Sequence, residues 1–301
     1  MSAAARPVPR ELIAAPHPDT APLPPAAGLA HGVRLLRALP YAQLDGSRPL
    51  ELDLWLPGAD AAGPVPLVLF VHGGAWRRGR RDDMGLRTRA WNPGPFARIA
   101  AAGAAVASVD YRLSGEAVFP AQLDDLRAAL RWLALRGGEL GVDAGRTVVW
   151  GESAGGHLAS LLALGRTAPS LAGAVVWYGP SDLTAARAPF DPYDPATPEA
   201  SMLGAVPAAD PARARAASPA EQVHAEAPPF LVIHGGADTM VAPGHSEHLA
   251  ERLQQAGVRA ELEIVPDADH GWYGLSDAEV ERIFARSTAF AATCHAAWNV
   301  P

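Results

Sequence analysis

The chain has 301 residues, 49% of them hydrophobic and 19% charged, with a formal net charge of -7. Such a composition provides ample material for a buried core and excludes wholesale disorder. The mild acidity argues against a nucleic-acid partner, which leaves a basic footprint.

A single cysteine, Cys294, excludes an internal disulfide framework and fits a reducing compartment. The first residues show no cationic patch followed by an apolar run, so no secretory signal is expected. No apolar run approaches the roughly 20 residues of a membrane helix. A cytoplasmic protein without a membrane span is therefore expected.

Residues 1–30 are rich in proline and alanine, with Pro16, Pro18, Pro22, Pro24 and Pro25, and show no sustained period. Proline removes backbone donors and fixes φ, which predicts an extended arm. Residues 33–41 form the first strand-like run. Leu50, Leu52, Leu54 and Leu56 then alternate with Glu51, Asp53 and Trp55, predicting a half-buried antiparallel strand. Runs at 66–71, 104–109, 147–150, 174–177 and 230–233 are continuously apolar, as strands buried on both faces require. A last run, at 260–265, alternates again. Between them Leu123, Leu126, Leu130 and Leu133 recur at helical spacing, as do Leu249 and Leu253. Val280, Ile283, Phe284 and Phe290 repeat the pattern near the end. The order predicts an α/β fold: a mostly parallel sheet with an antiparallel N-terminal edge and helices on both faces. Residues 184–229 break the rhythm and are expected to form a small inserted cap on a single domain, 31–301.

Gly151-Glu152-Ser153-Ala154-Gly155 stands between a buried strand and a helical run expected to begin near Gly156. In a Gly-x-Ser-x-Gly elbow the serine occupies a strained turn at the strand's end, among small residues that let neighbouring backbone come close. Its hydroxyl is presented at a helix N-terminus, where N–H groups favour developing negative charge. A serine hydroxyl needs a base, and the base an orienting carboxylate, in the chain order Ser, Asp or Glu, His. Asp238 follows the run 230–233, and His270 follows the run 260–265. Both positions are carboxyl ends of strands, the edge where open α/β sheets bind ligands. Asp267 and Asp269 are too near His270 in sequence to orient it easily, though one could shape the loop.

His72-Gly73-Gly74-Ala75-Trp76 follows the first continuously apolar run. Its glycines let backbone approach a substrate oxygen, and the N–H groups of Gly73, Gly74 and Ala154 are the expected oxyanion donors, with Ala75 a substitute for Gly73. Trp76, Tyr178 and Trp272 adjoin these segments and are candidate walls of the substrate pocket. His72 and His234 are expected to brace loops. His245 and His248 have i, i+3 spacing but no carboxylate or cysteine cluster beside them, so a solvated helix face is expected rather than a metal site.

These pieces, with Asp110-Tyr111-Arg112-Leu113 and Phe119-Pro120-Ala121-Gln122-Leu123-Asp124-Asp125, resemble the bacterial feruloyl-esterase-like and hormone-sensitive-lipase-like carboxylesterases. The resemblance runs from about residue 50 to the C-terminus. It implies the α/β-hydrolase fold and a Ser153–His270–Asp238 triad that hydrolyses a small or medium acyl ester through an acyl-enzyme. It implies no metal or organic cofactor, and a small-molecule ester as the partner; a homodimer is compatible with it. Ala75 stands where many members have a third glycine. Residues 77–95 carry Arg77, Arg78, Arg80, Arg81, Arg87 and Arg89 beside Asp82 and Asp83, a loop either internally paired or able to bind a substrate anion. The His-Gly-Gly-x-Trp pattern also resembles arylformamidases. A formamide-cleaving amidase, an acyltransferase and a non-catalytic hydrolase-fold binding protein are the alternatives.

Overall fold

The computed structural model of the chain describes residues 17–58, 63–166 and 170–297. The first 16 residues of the expected arm lie outside these. The rest of the arm is laid on the domain. Trp132 donates from its indole to the Pro18 carbonyl at 3.0 Å, and Arg136 to the carbonyls of Pro18 and Ala21 at 2.9 and 3.0 Å.

The chain then builds β1 (Ala27–Gly28), β2 (Arg34–Ala42), β3 (Leu50–Leu56), β4 (Val65–Val71), α1 (Pro95–Ala101) and β5 (Ala105–Val109). There follow α2 (Ala121–Leu140), β6 (Val142–Glu152), α3 (Ala154–Leu164), β7 (Gly173–Trp177), α4 (Pro198–Leu203) and α5 (Pro211–Ala216). The last elements are β8 (Phe230–Gly235), α6 (Gly244–Gln255), β9 (Ala260–Val265) and α7 (Asp277–Ala297). Among the described residues the strands form one sheet in the order β1-β2-β3-β5-β4-β6-β7-β8-β9. Pairing is antiparallel from β1 to the β3–β5 contact and parallel from β5 onward.

Successive strand residues point to opposite faces, and the two cores show it. Leu67, Leu69 and Val71 of β4 pack into the core beneath α2, α3 and α6. Val68 and Phe70 pack into the opposite core, with Phe96 and Ile99 of α1 and Ile283 and Phe284 of α7.

β3 departs from the half-buried expectation. Trp55, 6% exposed, packs on Phe96 with ring centroids 4.6 Å apart. Asp53, 2% exposed, accepts the Ala38 N–H and the Arg81 guanidinium, each at 2.8 Å. The second cover comes from α1 and from the arginine-rich loop, both distant in sequence.

The segment between β7 and β8 is stitched along α3 and the end of β7. His157 donates to the Ala217 carbonyl at 2.6 Å, Ala220 N–H to Ser181 O at 2.9 Å, and Leu183 N–H to the Ser218 hydroxyl at 2.8 Å. No helix among the described residues is long and apolar enough to cross a membrane.

Candidate active site

Parallel pairing aligns the carboxyl ends of β6, β8 and β9, and so gathers loops that lie far apart in sequence. Ser153 follows β6 with φ 51° and ψ -122°, a strained conformation for a residue with a Cβ. A methyl group on Gly151 would overlap the Gly155 carbonyl, and one on Gly155 would overlap the Val71 carbonyl. Both positions therefore demand glycine. α3 begins at Ala154, two residues before the expected start, because the elbow leads directly into the first helical turn.

His270 stands over the serine. Its Nε2 lies 3.0 Å from Ser153 Oγ, and its Nδ1 lies 2.7 Å from Asp238 Oδ2. The carboxylate only accepts, so Nδ1 carries the proton and Nε2 is left to accept from the serine hydroxyl. Asp238 is itself fixed: Oδ1 accepts the N–H groups of Met240 and Val241, both at 2.8 Å. His234 Nε2 lies 3.3 Å from Asp238 Oδ2 and 2.8 Å from the Val241 carbonyl. Burial alone would raise the Asp238 carboxyl, but the hydrogen bonds from His234 and His270 outweigh it and hold the group well below the usual carboxylate range. Asp269 shapes the same loop, accepting the N–H groups of Thr239 and His270, each at 2.7 Å.

Of the N–H groups expected to serve as oxyanion donors, that of Gly73 already has a partner. Gly73 N–H donates to Glu152 Oε1 at 3.3 Å, which turns it away from a substrate oxygen. The amides of Gly74 and Ala75 have no hydrogen-bond partner among the described residues. Ala154 opens α3, where the helix itself offers its N–H no acceptor. His72 braces the loop through its neighbour's carbonyl, 2.7 Å from Nδ1, and stacks on Tyr111 with ring centroids 4.4 Å apart.

A cavity of about 390 Å³ opens over Ser153. Gly74, Arg78, Leu86, Tyr178, Met240 and His270 are among its walls, and no residue of 184–229 is. Of the three expected aromatic walls only Tyr178 lines it. Trp76 is buried edge-on against His157 at 5.0 Å, and Trp272 is buried against Trp177 and Tyr178 at 5.4 and 4.6 Å. Their large apolar area is used by the core behind the loops, not by the cavity.

The arginine-rich loop is mostly paired internally or to the domain. Arg80 binds Asp82, Arg89 binds Asp83, and Arg81 bridges Asp53, Asp110 and Glu51. Arg87 crosses to the loop after His270, donating to the carbonyls of Trp272 and Leu275 at 3.0 and 2.8 Å. Arg77 and Arg78 have no ion pair among the described residues. His245 is not on a solvated face: it is buried, accepts the Ser181 N–H at 3.2 Å, and burial pushes it down to about 3. No cluster of His, Cys, Asp or Glu among the described residues has metal-holding geometry.

Sequence reasoning passed over the side chain of Glu152 and the bridging role of Arg87. Glu152 is the variable letter of its motif. Nothing near Arg87 in sequence marks its partners.

A family model described as BD-FAE matches residues 52–253. The carboxylesterase NlhH of Mycobacterium tuberculosis is 35% identical over 238 residues, covering 70% of this chain and 68% of NlhH. The esterase LipQ of the same organism is 31% identical over 250 residues, 78% of this chain, but the chain spans only 56% of LipQ. Among solved structures, a truncated carbohydrate esterase from gut microbiota superposes with a TM-score of 0.75 at 24% identity, covering 89% of this chain and 99% of that one. That likeness carries the fold, an α/β-hydrolase sheet with its helices.

Proposed function

The chain belongs to the BD-FAE family, and from that premise we propose that it is a serine carboxylic-ester hydrolase acting on small or medium acyl esters through an acyl-enzyme. The observation that carries the reading is the unbroken line from Ser153 Oγ to His270 Nε2 at 3.0 Å and from His270 Nδ1 to Asp238 at 2.7 Å. His270 takes the serine proton as Ser153 attacks the acyl carbon. The oxyanion that forms meets the amides of Gly74, Ala75 and Ala154, which are preorganised and need no rearrangement. Collapse expels the alcohol, protonated by His270. Water then hydrolyses the acyl-enzyme by the same route.

Residues 31–301 act as one catalytic domain in this reading, and the lone Cys294 suits a reducing cytoplasm. The test is release of p-nitrophenol from acetyl and butyryl esters, with Ser153→Ala as the control. Turnover that survives the substitution, or a fluorophosphonate label found elsewhere than on Ser153, would overturn the assignment.

A further inference from the structure

Glu152 immediately precedes Ser153, and its carboxylate is where three separate segments meet. Oε1 accepts the Gly73 N–H at 3.3 Å, and Oε2 accepts the Tyr178 hydroxyl at 2.7 Å. Gly85 of the arginine-rich loop packs so close that a methyl group there would come within 2.7 Å of Oε2.

Two of these contacts lead straight to working groups. Gly73 precedes the Gly74 and Ala75 amides. The Tyr178 ring lies against the His270 imidazole with centroids 4.8 Å apart. Tyr178 is also held in a left-handed conformation, φ 38°, with its N–H on the Ile233 carbonyl at 2.9 Å.

A carboxylate is a costly choice for this place. Burial pushes Glu152 above the usual carboxylate range, against the hydrogen bonds from Tyr178 and Gly73. An apolar side chain of similar volume would avoid that cost, but would leave two donors unmatched.

We propose that Glu152 is a positioning residue, whose carboxylate ties the oxyanion loop to Tyr178 and so holds the Gly74 and Ala75 amides and the His270 ring in place around Ser153. This rests on the esterase reading. Glutamine preserves the link: its carbonyl faces Gly73 N–H, which only donates, and its amide faces the Tyr178 oxygen, which also accepts. Alanine breaks both ends.

The experiment compares wild type, Glu152→Gln, Glu152→Ala, Tyr178→Phe and the Glu152→Ala/Tyr178→Phe double variant on p-nitrophenyl butyrate. Alongside, it measures inhibition by a trifluoromethyl ketone, whose hemiketal oxygen occupies the oxyanion hole, and the melting temperature of each protein. Glu152→Ala is expected to lower kcat by about 10- to 100-fold, the scale of a misplaced reacting group, with KM changed less than about threefold. Ketone affinity is expected to fall in parallel, because it reports transition-state rather than ground-state binding. Glu152→Gln is expected to stay within about fivefold of wild type, and Tyr178→Phe on top of Glu152→Ala to add little, since both cut one link. If Glu152→Ala does not fold, Tyr178→Phe alone breaks the link from the other end and is expected to show a weaker form of the same kcat and ketone signature.

A kcat for Glu152→Ala equal to wild type overturns the proposal, as does a loss confined to KM. So does a Glu152→Gln variant as impaired as the alanine, which would make charge the requirement. Wild type that neither turns over esters nor binds the ketone is a different result, seen before any variant is compared. It rejects the esterase reading, and the proposal falls with it.

Discussion

The Arg81 guanidinium donates to the Asp53 carboxylate at 2.8 Å, so a loop residue neutralises a charge buried in the middle of β3. Arg81 also bridges Asp110 and Glu51. Removing one partner of a buried pair leaves an uncompensated charge and costs roughly 3–5 kcal/mol. Arg81 is 21% exposed, and Asp53 keeps the Ala38 N–H and the Arg37 guanidinium at 3.8 Å, so Arg81→Ala is expected to cost about 1–3 kcal/mol, below that range. Arg80, 78% exposed in its pair with Asp82, is expected to leave stability unchanged when made alanine, because solvent screens the pair. Urea unfolding of the two variants checks the contrast.

Two glycine substitutions are expected to move stability in opposite directions. Gly155→Ala drives a methyl group into the Val71 carbonyl, and a loss of at least about 3 kcal/mol, or no folded protein, is expected. Gly138 lies exposed within α2 with nothing within 4 Å of an added Cβ. Gly138→Ala is expected to stabilise by about 0.5–1 kcal/mol, the helix-propensity difference, as thermal melts will show.

Acid is expected to destabilise the fold through its buried histidines. Burial lowers His157 and His295 to about 4 and His245 to about 3. A histidine depressed in the folded state binds its proton only in the unfolded state as pH falls below about 6.5. Stability is therefore complete above that pH and is lost progressively down to the folded values. His157→Gln is expected to flatten the melting temperature against pH between about 6.5 and 4, even if its melting point at neutral pH is lower.

Acyl-chain preference follows from the cavity walls. Leu86 and Met240 supply apolar surface, while Arg78, Arg80, Arg89 and Asp83 supply charge within a space of about 390 Å³. A long alkyl chain would have to desolvate those charged groups. On p-nitrophenyl esters, kcat/KM is expected to be lower for octanoate than for butyrate by on the order of tenfold, equivalent to about 1.4 kcal/mol. A rise with chain length would contradict this account of the walls.

The sheet was legible because local physics writes it into the chain. Strands at the centre of an α/β sheet are buried on both faces, so Leu67 to Val71 must all be apolar, and the helices between must show a 3.6-residue stripe. The elbow was legible for a steric reason: backbone crowding at Gly151 and Gly155 leaves no room for a side chain. What failed was inference about side chains that act across the fold. Trp76 and Trp272 stand beside the Gly73–Ala75 and His270 segments in sequence yet face the core. His245 has the spacing of a surface pair, but the segment after β7 covers it.

By itself, then, the sequence determined the main strands, the long helices at 123–133, 249–253 and 280–290, and the Gly-x-Ser-x-Gly pattern around Ser153, since these follow from the period and residue types of short stretches. Only the tertiary structure decided that Gly73 N–H belongs to Glu152 and that Tyr178 alone of the three aromatics walls the cavity. It also decided that Asp53 is neutralised by Arg81. Those outcomes depend on where segments separated by tens of residues come to rest against one another. Hydrogen bonding and burial act on that distance in space, which no local pattern encodes.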